Sequence, residues 1–296
     1  MFSQIFGRFL VAQKLISSEE LEGLLEEQKR VRVKLGLIAV SERLLSREQA
    51  EKINRKQALE DKRFGELAVE MGFLTESQVQ RLLEQQGSPY LSFVQAATEK
   101  ELMTLEEIES ALELYQRELG FTNTDMENFK SGDVDRMLPL YVKTSNKIAS
   151  DLIGLAIRTI IRLIDSEIAM DPSYEVDSYE FENLALQNVE GQHSILLGLA
   201  GEGDNLLEIA ESFAKEEFEH MDLFSFDAIC EFINCINGLN ASSLSYKGVW
   251  LDMLPPTYYQ SGVAETQDKL LIIPIYIKNK QVKLVIAMNT EVNLKV

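Results

Sequence analysis

Residues 227–256 read DAICEFINCINGLNASSLSYKGVWLDMLPP, and their reading decides the fold of the C-terminal half. At about 100° per residue the opening is an amphipathic helix. Ile229, Phe232, Ile233 and Ile236 share one apolar face, while Asp227, Glu231, Asn234 and Gly238, at i, i+4, i+7 and i+11, form a narrow stripe opposite. A carboxylate and a carboxamide one turn apart, beside a small residue, make a flat polar ledge. Taken alone, a Glu-x-x-Asn pair is a solvated helix face. Asn237-Gly238 reads as the end of the helix, and the text after it as a strand over 243–252.

Working outward, the flanking residues alternate between helical and extended patterns. Upstream, 138–168 carries helical periodicity through Leu140, Ile148, Leu152, Leu155, Ile160 and Ile164, started after Pro139 and stopped by Asp171-Pro172. Strands are expected at 182–188 and 194–200, then a turn at Gly201-Glu202-Gly203 and a helix over 205–215 with Asp204 as its N-cap. Downstream, strands at 269–277 and 282–288 join through a hairpin at Asn279-Lys280. A long helix, then βαα, then ββ, is an α+β layout for 135–296, with helices against one antiparallel sheet.

The longer frame is more specific than the ledge. Asp227, three residues, Glu231, two residues, Asn234, and twenty-one residues before Pro256 resembles the signature of the CheC/CheX/FliY phosphatases of bacterial chemotaxis, and the single helix of this kind matches CheX best. The resemblance covers about residues 135–296. It implies a CheX-like fold and hydrolysis of the phospho-aspartate on a CheY-type response regulator receiver domain. Asn234 would hold the attacking water, since a carboxamide accepts, donates and does not titrate. Glu231 would pair with the regulator's active-site lysine, with Asp227, Gly238 and Pro256 in support. No cofactor of the chain's own is implied, because Mg²⁺ comes with the receiver domain. A two-fold dimer through the CheX-like domain is a further implication.

The N-terminal half is periodic. Ile16-Ser17, Leu45-Ser46, Leu74-Thr75 and Met103-Thr104 recur every 29 residues, each Ser or Thr followed three residues later by Glu20, Gln49, Gln78 or Glu107. These are capping-box signatures for four helix starts. Each unit reads as a short helix, a turn and a longer capped helix, so residues 1–118 form an all-α domain of four helix-turn-helix repeats. Residues 119–134 are polar and turn-rich and read as a linker.

The repeat resembles the RLGxxLVxxGxIxxxxLxxxLxxQ motif of the N-terminal domain of type II secretion and pilus ATPases, in which paired motifs bind cyclic di-GMP. The third copy matches through Arg63, Gly65, Gly72 and Gln86, the first through Gly7 and Gln28, and the second through Lys34 and Gly36. In the first copy Ile5 stands for the Arg and Lys14 for a Gly; in the second Arg43 stands for that Gly and Asn54 breaks the apolar line. A diphosphate ligand wants guanidinium groups or helix N-terminal amides, so two readings stand, a nucleotide site or a protein-docking scaffold.

Composition narrows the classes further. With 29 Lys/Arg against 48 Asp/Glu the formal charge is −19, which opposes nucleic acid and anionic membrane surfaces. Residues 119–296 carry 13 basic against 27 acidic side chains, net −14, which suits a partner with a basic face. The most apolar run, LIGLAIRTIIRLI, is cut by Arg158 and Arg162, so no membrane insertion is expected. Cys230 and Cys235, five apart on one helix, point in different directions, and free thiols fit a cytoplasmic protein. His193 and His220 are too isolated for a metal site. The sequence thus supports an enzyme, a phospho-aspartyl phosphatase, or a non-enzymatic adaptor built from the same two parts.

Overall fold

A computed structural model describes residues 1–30, 32–60 and 62–296. They divide into two compact units, Phe2–Asp133 and Val134–Val296.

The first unit is helical: α1 (Phe2–Ala12), α2 (Ser18–Gln28), α3 (Leu35–Ser41), α4 (Arg47–Gln57), α5 (Phe64–Glu70), α6 (Glu76–Glu84), α7 (Pro89–Glu99), α8 (Leu105–Leu119) and α9 (Asn123–Ser131). Ser17, Ser46, Thr75 and Thr104 cap α2, α4, α6 and α8, each in a reciprocal capping box. Within a pair the helices meet at a glycine. A Cβ on Gly7 would stand 2.2 Å from Leu21 Cδ1, and one on Gly65 would stand 2.7 Å from Val79 Cγ1. Ala50 occupies the matching place on α4, and the ring of Phe64 fills the space over Gly36 instead, 3.0 Å from where a Cβ would sit.

Residues 119–134 are not a linker. Thr122 and Asp125 form a capping box, Gly132 ends α9 with φ 68°, and Phe129 is fully buried. Its ring lies 4.8 Å from that of Phe2 and 4.9 Å, stacked, from that of Tyr115. One turn carries the whole apolar face of α9, Met126 and Phe129, too little for periodicity to register.

The second unit opens with α10 (Val134–Tyr141) and α11 (Lys147–Leu163). The single helix expected over 138–168 is therefore two. Asn146 Oδ1 accepts from the backbone N–H groups of Ile148 and Ala149, at 3.0 and 3.1 Å, and starts α11 afresh, and Pro139 lies inside α10 rather than before it. Then follow β1 (Ala169–Met170), β2 (Tyr174–Gly191), β3 (Ile195–Gly201), α12 (Leu207–Ala214), α13 (Leu223–Ser245), β4 (Leu251–Met253), β5 (Thr257–Ile277), β6 (Lys280–Met288) and β7 (Val292–Lys295).

The strands pair antiparallel in the order β1-β5-β6-β3-β2-β4, with β7 beside β5. Because β5 also pairs with β2, the path β2-β3-β6-β5 closes on itself. One face of this curled sheet gathers Leu184, Leu186, Leu196, Leu270, Ile272 and Val285 into a single cluster. By period-two alternation Ala185, Gln187, Leu197 and Leu199 face the other way, where α13 packs on β2 and β3 with α12 and α11 alongside it. The two long strands exceed the expected ones because residues 174–180 and 257–268, Ala264 apart, are exposed or half-buried where they extend the sheet. The hairpin turns through Lys278 and Asn279, at φ 45° and 67°, as a two-residue turn of right-twisted strands requires. Asp204 does not cap α12: its Oδ1 accepts from Met221 N–H at 3.2 Å, and Leu206 stands at the N-cap without a side-chain bond.

Phe129→Ala should lower the unfolding free energy by about 3–5 kcal/mol, as for a buried ring deleted from a core. Urea denaturation of the full chain checks this; a linker residue would change it by only about 0.5 kcal/mol.

Candidate functional site

Helix α13 starts earlier and ends later than its sequence implies. Asp222 Oδ1 accepts from Ser225 N–H at 2.9 Å while Ser225 Oγ accepts from Asp222 N–H at 2.7 Å, a capping box that opens five residues ahead of Asp227. Asp227 is thus not a helix-start residue but an exposed one in the second turn. The helix continues through Asn237 and Gly238, which were expected to end it. Gly238 lacks the left-handed backbone of a helix stop, and the chain turns instead at Gly248, φ 81°. Consequently 243–245 is helical and the following strand shrinks to β4.

Ile229, Phe232, Ile233 and Ile236 are fully buried, and the opposite stripe is on the surface: Asp227 and Glu231 exposed, Asn234 and Gly238 half-buried. A Cβ on Gly238 would meet nothing within 4 Å. Leu223 and Phe224 extend the same face toward the helix start, exposed to 61% and 71%. They were missed because the helix was begun at Asp227.

Asn234 is tied down from below. Gln187 on β2, 1% exposed, donates through Nε2 to Asn234 Oδ1 at 2.9 Å and to the Leu254 carbonyl oxygen at 2.8 Å. Its Oε1 accepts from Asn237 Nδ2 at 2.9 Å. Leu254 is held in turn by its own N–H on the Asn188 carbonyl at 3.0 Å, and Gly191, φ 142°, lets β4 approach, since a Cβ there would fall 2.5 Å from the Trp250 carbonyl oxygen. Pro255 and Pro256 follow Leu254 and cannot continue the β4 ladder, so the chain passes into β5 at Thr257. The proline of the frame, Pro256, therefore lies two residues after the carbonyl that anchors the ledge. Gln187 and Leu254 carry no sequence signal: in residues 182–190, ENLALQNVE, a Gln beside an Asn stands in no recurring spacing.

Cys230 is buried, and its burial, with the Asp227 and Glu231 charges adding, pushes its thiol up to about 11. It stays protonated at neutral pH and makes a poor nucleophile. Among the described residues, no group of three or more His, Cys, Asp or Glu is placed to hold a metal ion, and no helix is long and apolar enough to cross a membrane.

In the helical unit the motif residues are taken up by packing. Gly7, Gly36 and Gly65 sit at close helix approaches, and Gly72 makes a turn at φ 71°. Gln28 Nε2 donates to the Pro89 carbonyl at 3.1 Å and to Ser92 Oγ at 2.8 Å, and Gln86 Nε2 donates to the Val33 carbonyl at 2.9 Å. Lys34 pairs with Glu99 at 2.6 Å. Arg63 is exposed at the start of α5, where its N–H donates to Glu66 Oε2 at 3.1 Å. A groove of about 950 Å³ opens in this unit where Ala50 and Asn54 replace the larger apolar residues of the first copy, and Lys34, Gly36, Gln57 and Glu99 also line it. Arg63, Gly65, Gly72 and Gln86 do not line it.

No protein-family model and no curated protein matches the chain. Among solved structures it is similar to the chemotaxis protein CheX from Desulfovibrio desulfuricans, at 12% identity and TM-score 0.42 over 48% of this chain and 99% of that one. It is also similar to a CheC-like superfamily protein from Shewanella sp. PV-4, at 17% identity and TM-score 0.43 over 49% and 99%. A CheX–CheY–BeF₃–Mg²⁺ complex from Borrelia burgdorferi matches at 16% identity and TM-score 0.38 over 48% and 98%.

Iodoacetamide at about pH 8 should modify half-exposed Cys235 at least roughly tenfold faster than Cys230, whose thiolate is scarce there. Peptide mass mapping over time reads both sites; equal rates would show that Cys230 keeps a reactive thiolate despite its burial.

Proposed function

We propose that the second unit hydrolyses the phospho-aspartate of a response regulator receiver domain, placing the chain in bacterial two-component or chemotaxis signalling. One observation carries the reading: Asn234 stands beside exposed Glu231 on the polar stripe of α13 with its carboxamide held by Gln187. The Glu231, Asn234, Pro256 frame supplies the rest by its resemblance to the CheC/CheX/FliY signature.

An acyl phosphate needs little from a helper protein. Water attacks phosphorus, the bond from phosphorus to the aspartyl oxygen breaks, the aspartate leaves as a carboxylate and inorganic phosphate departs. The receiver's own Mg²⁺ neutralises the phosphoryl oxygens. Asn234 contributes position: among the described residues its Nδ2 has no partner, leaving both hydrogens for the water or a phosphoryl oxygen, and Oδ1 keeps one lone pair after accepting from Gln187. Glu231 docks on the receiver's lysine, as the resemblance implies, and the open space over Gly238 lets a partner backbone come close. Exposed Leu223 and Phe224 add apolar contact at one end of the stripe.

The helical unit is read as a protein-docking module of four helix pairs, because its glycines and glutamines already serve packing. Calorimetry with cyclic di-GMP at high micromolar concentration should give no heat; saturable heat, lost on Arg63→Ala, would establish the nucleotide reading instead.

Decay of a phosphorylated receiver domain should accelerate with the parent protein. Asn234→Ala should reduce that acceleration roughly 10²-fold or more in a protein that still folds, and Glu231→Ala should weaken binding and rate with an unchanged urea midpoint. An amide does not titrate, so the parent's acceleration should stay level between roughly pH 6 and 9. An Asn234→Ala protein as fast as its parent sinks the water-positioning role.

A further inference from the structure

A carboxamide can face either way, and the two orientations offer a partner different chemistry. Here the orientation follows from a group that has no choice. The Leu254 carbonyl can only accept, so the Gln187 atom 2.8 Å from it is the nitrogen. The same nitrogen lies 2.9 Å from a side-chain atom of Asn234, and having no lone pair to offer it requires an oxygen there. The Gln187 oxygen then faces Asn237 at 2.9 Å and requires that residue's nitrogen. This last assignment leaves Asn237 Oδ1 buried with no partner. An orphaned buried acceptor is disfavoured, but turning Asn237 over would set its oxygen against the Gln187 oxygen, so the direction stands.

We propose that Gln187 is the positioning residue of the ledge: it fixes the Asn234 carboxamide with oxygen held by the sheet and NH₂ offered to the phosphoryl group and its water. Gln187 touches no substrate. Its bearing on turnover rests on the phosphatase reading, whereas the amide polarity stands on the hydrogen bonds alone. Its bonded partners are the Leu254 carbonyl after β4 and Asn234 and Asn237 on α13, with Leu197 opposite it in the β2–β3 register.

Two measurements on the full chain test this. Side-chain amide exchange by NMR should find the Gln187 NH₂ hydrogens slow and those of Asn234 at least roughly tenfold faster, since only the former are both bonded away from solvent. Protection in the reverse order overturns the assigned polarity. In kinetics, Gln187→Leu should lower kcat roughly 10- to 100-fold while affinity for a beryllofluoride-bound receiver changes by no more than about twofold. Combined with Asn234→Ala it should be no slower than Asn234→Ala alone. If Gln187→Leu does not fold, Gln187→Glu keeps the shape: an ionised carboxylate cannot donate, so turnover should fall when the carboxylate is ionised and recover in part as the pH is lowered and the new carboxyl regains one hydrogen in place of the amide's two. A purely structural role would not produce that pH profile. Either variant matching its parent at every pH refutes the positioning role. No acceleration by the parent protein would instead defeat the phosphatase reading, and amide exchange would still decide the polarity separately.

Discussion

The backbone carbonyl of Leu254 sets the direction of three side-chain amides, and much of the second unit is arranged so that it can. It accepts from Gln187 near the C-terminal end of β2, where Gln187 is itself buried directly after the buried apolar run Leu184-Ala185-Leu186. Such a group is tolerated there only if its hydrogen bonds are made. Those bonds tie together β2, the segment after β4 and the centre of α13. They also fix register. Sliding β2 by one residue would turn Gln187 into the closed apolar face with Leu184 and Leu186 and strip it of all three partners. Leu254 stays put because Asn188 holds its N–H and Pro255 favours an extended residue before it.

Much of this was legible in the sequence. The faces of α13 were readable because four apolar residues on one side, and three polar residues and a glycine on the other, obey one period over three turns, and the cores of β3 and β6 were readable as continuous apolar runs. The long outer parts of β2 and β5 were not, since YEVDSYE and YYQSGVAETQDK bury little and are extended by pairing with each other. Asn237-Gly238 misled for a specific reason. That pair usually ends a helix, but here Asn237 is consumed by Gln187 fifty residues away, and a tertiary bond outweighs a local preference. The same long-range pairing hid Gln187 itself, because the partner that gives it meaning lies on another element.

In the helical unit the period was plain, yet what the repeated positions do was not. A glycine recurring every 29 residues fits a ligand-binding loop and a helix contact equally well on paper. The distances decide: at Gly7 and Gly65 the space for a side chain is already filled by Leu21 and Val79. The second copy departs from this rule. With Ala50 on the facing helix, the gap is closed by Phe64 from the next pair, and the shortened side chains at Ala50 and Asn54 leave a groove beside them. Loss of apolar volume in one copy of a packed array does not destroy the array, because each pair borders its neighbours and they can close in. It leaves a surface concavity in place of core.

The two units solve opposite problems with the same side chain. Gln28 and Gln86 lie at helix ends and donate to the Pro89 and Val33 carbonyls, so their amides tie one main-chain segment to another within the unit. Gln187 also bonds a carbonyl, but it passes the direction on, to Asn234 at the surface and to Asn237 in the core. An ionisable residue in its place would make the ledge depend on pH, and a hydroxyl could rotate and lose the direction. A carboxamide does neither, and a buried one locked by a carbonyl gives the exposed one above it a single orientation before any partner arrives. For a reaction in which the helper supplies geometry and little else, that preorganisation is the contribution the fold can make.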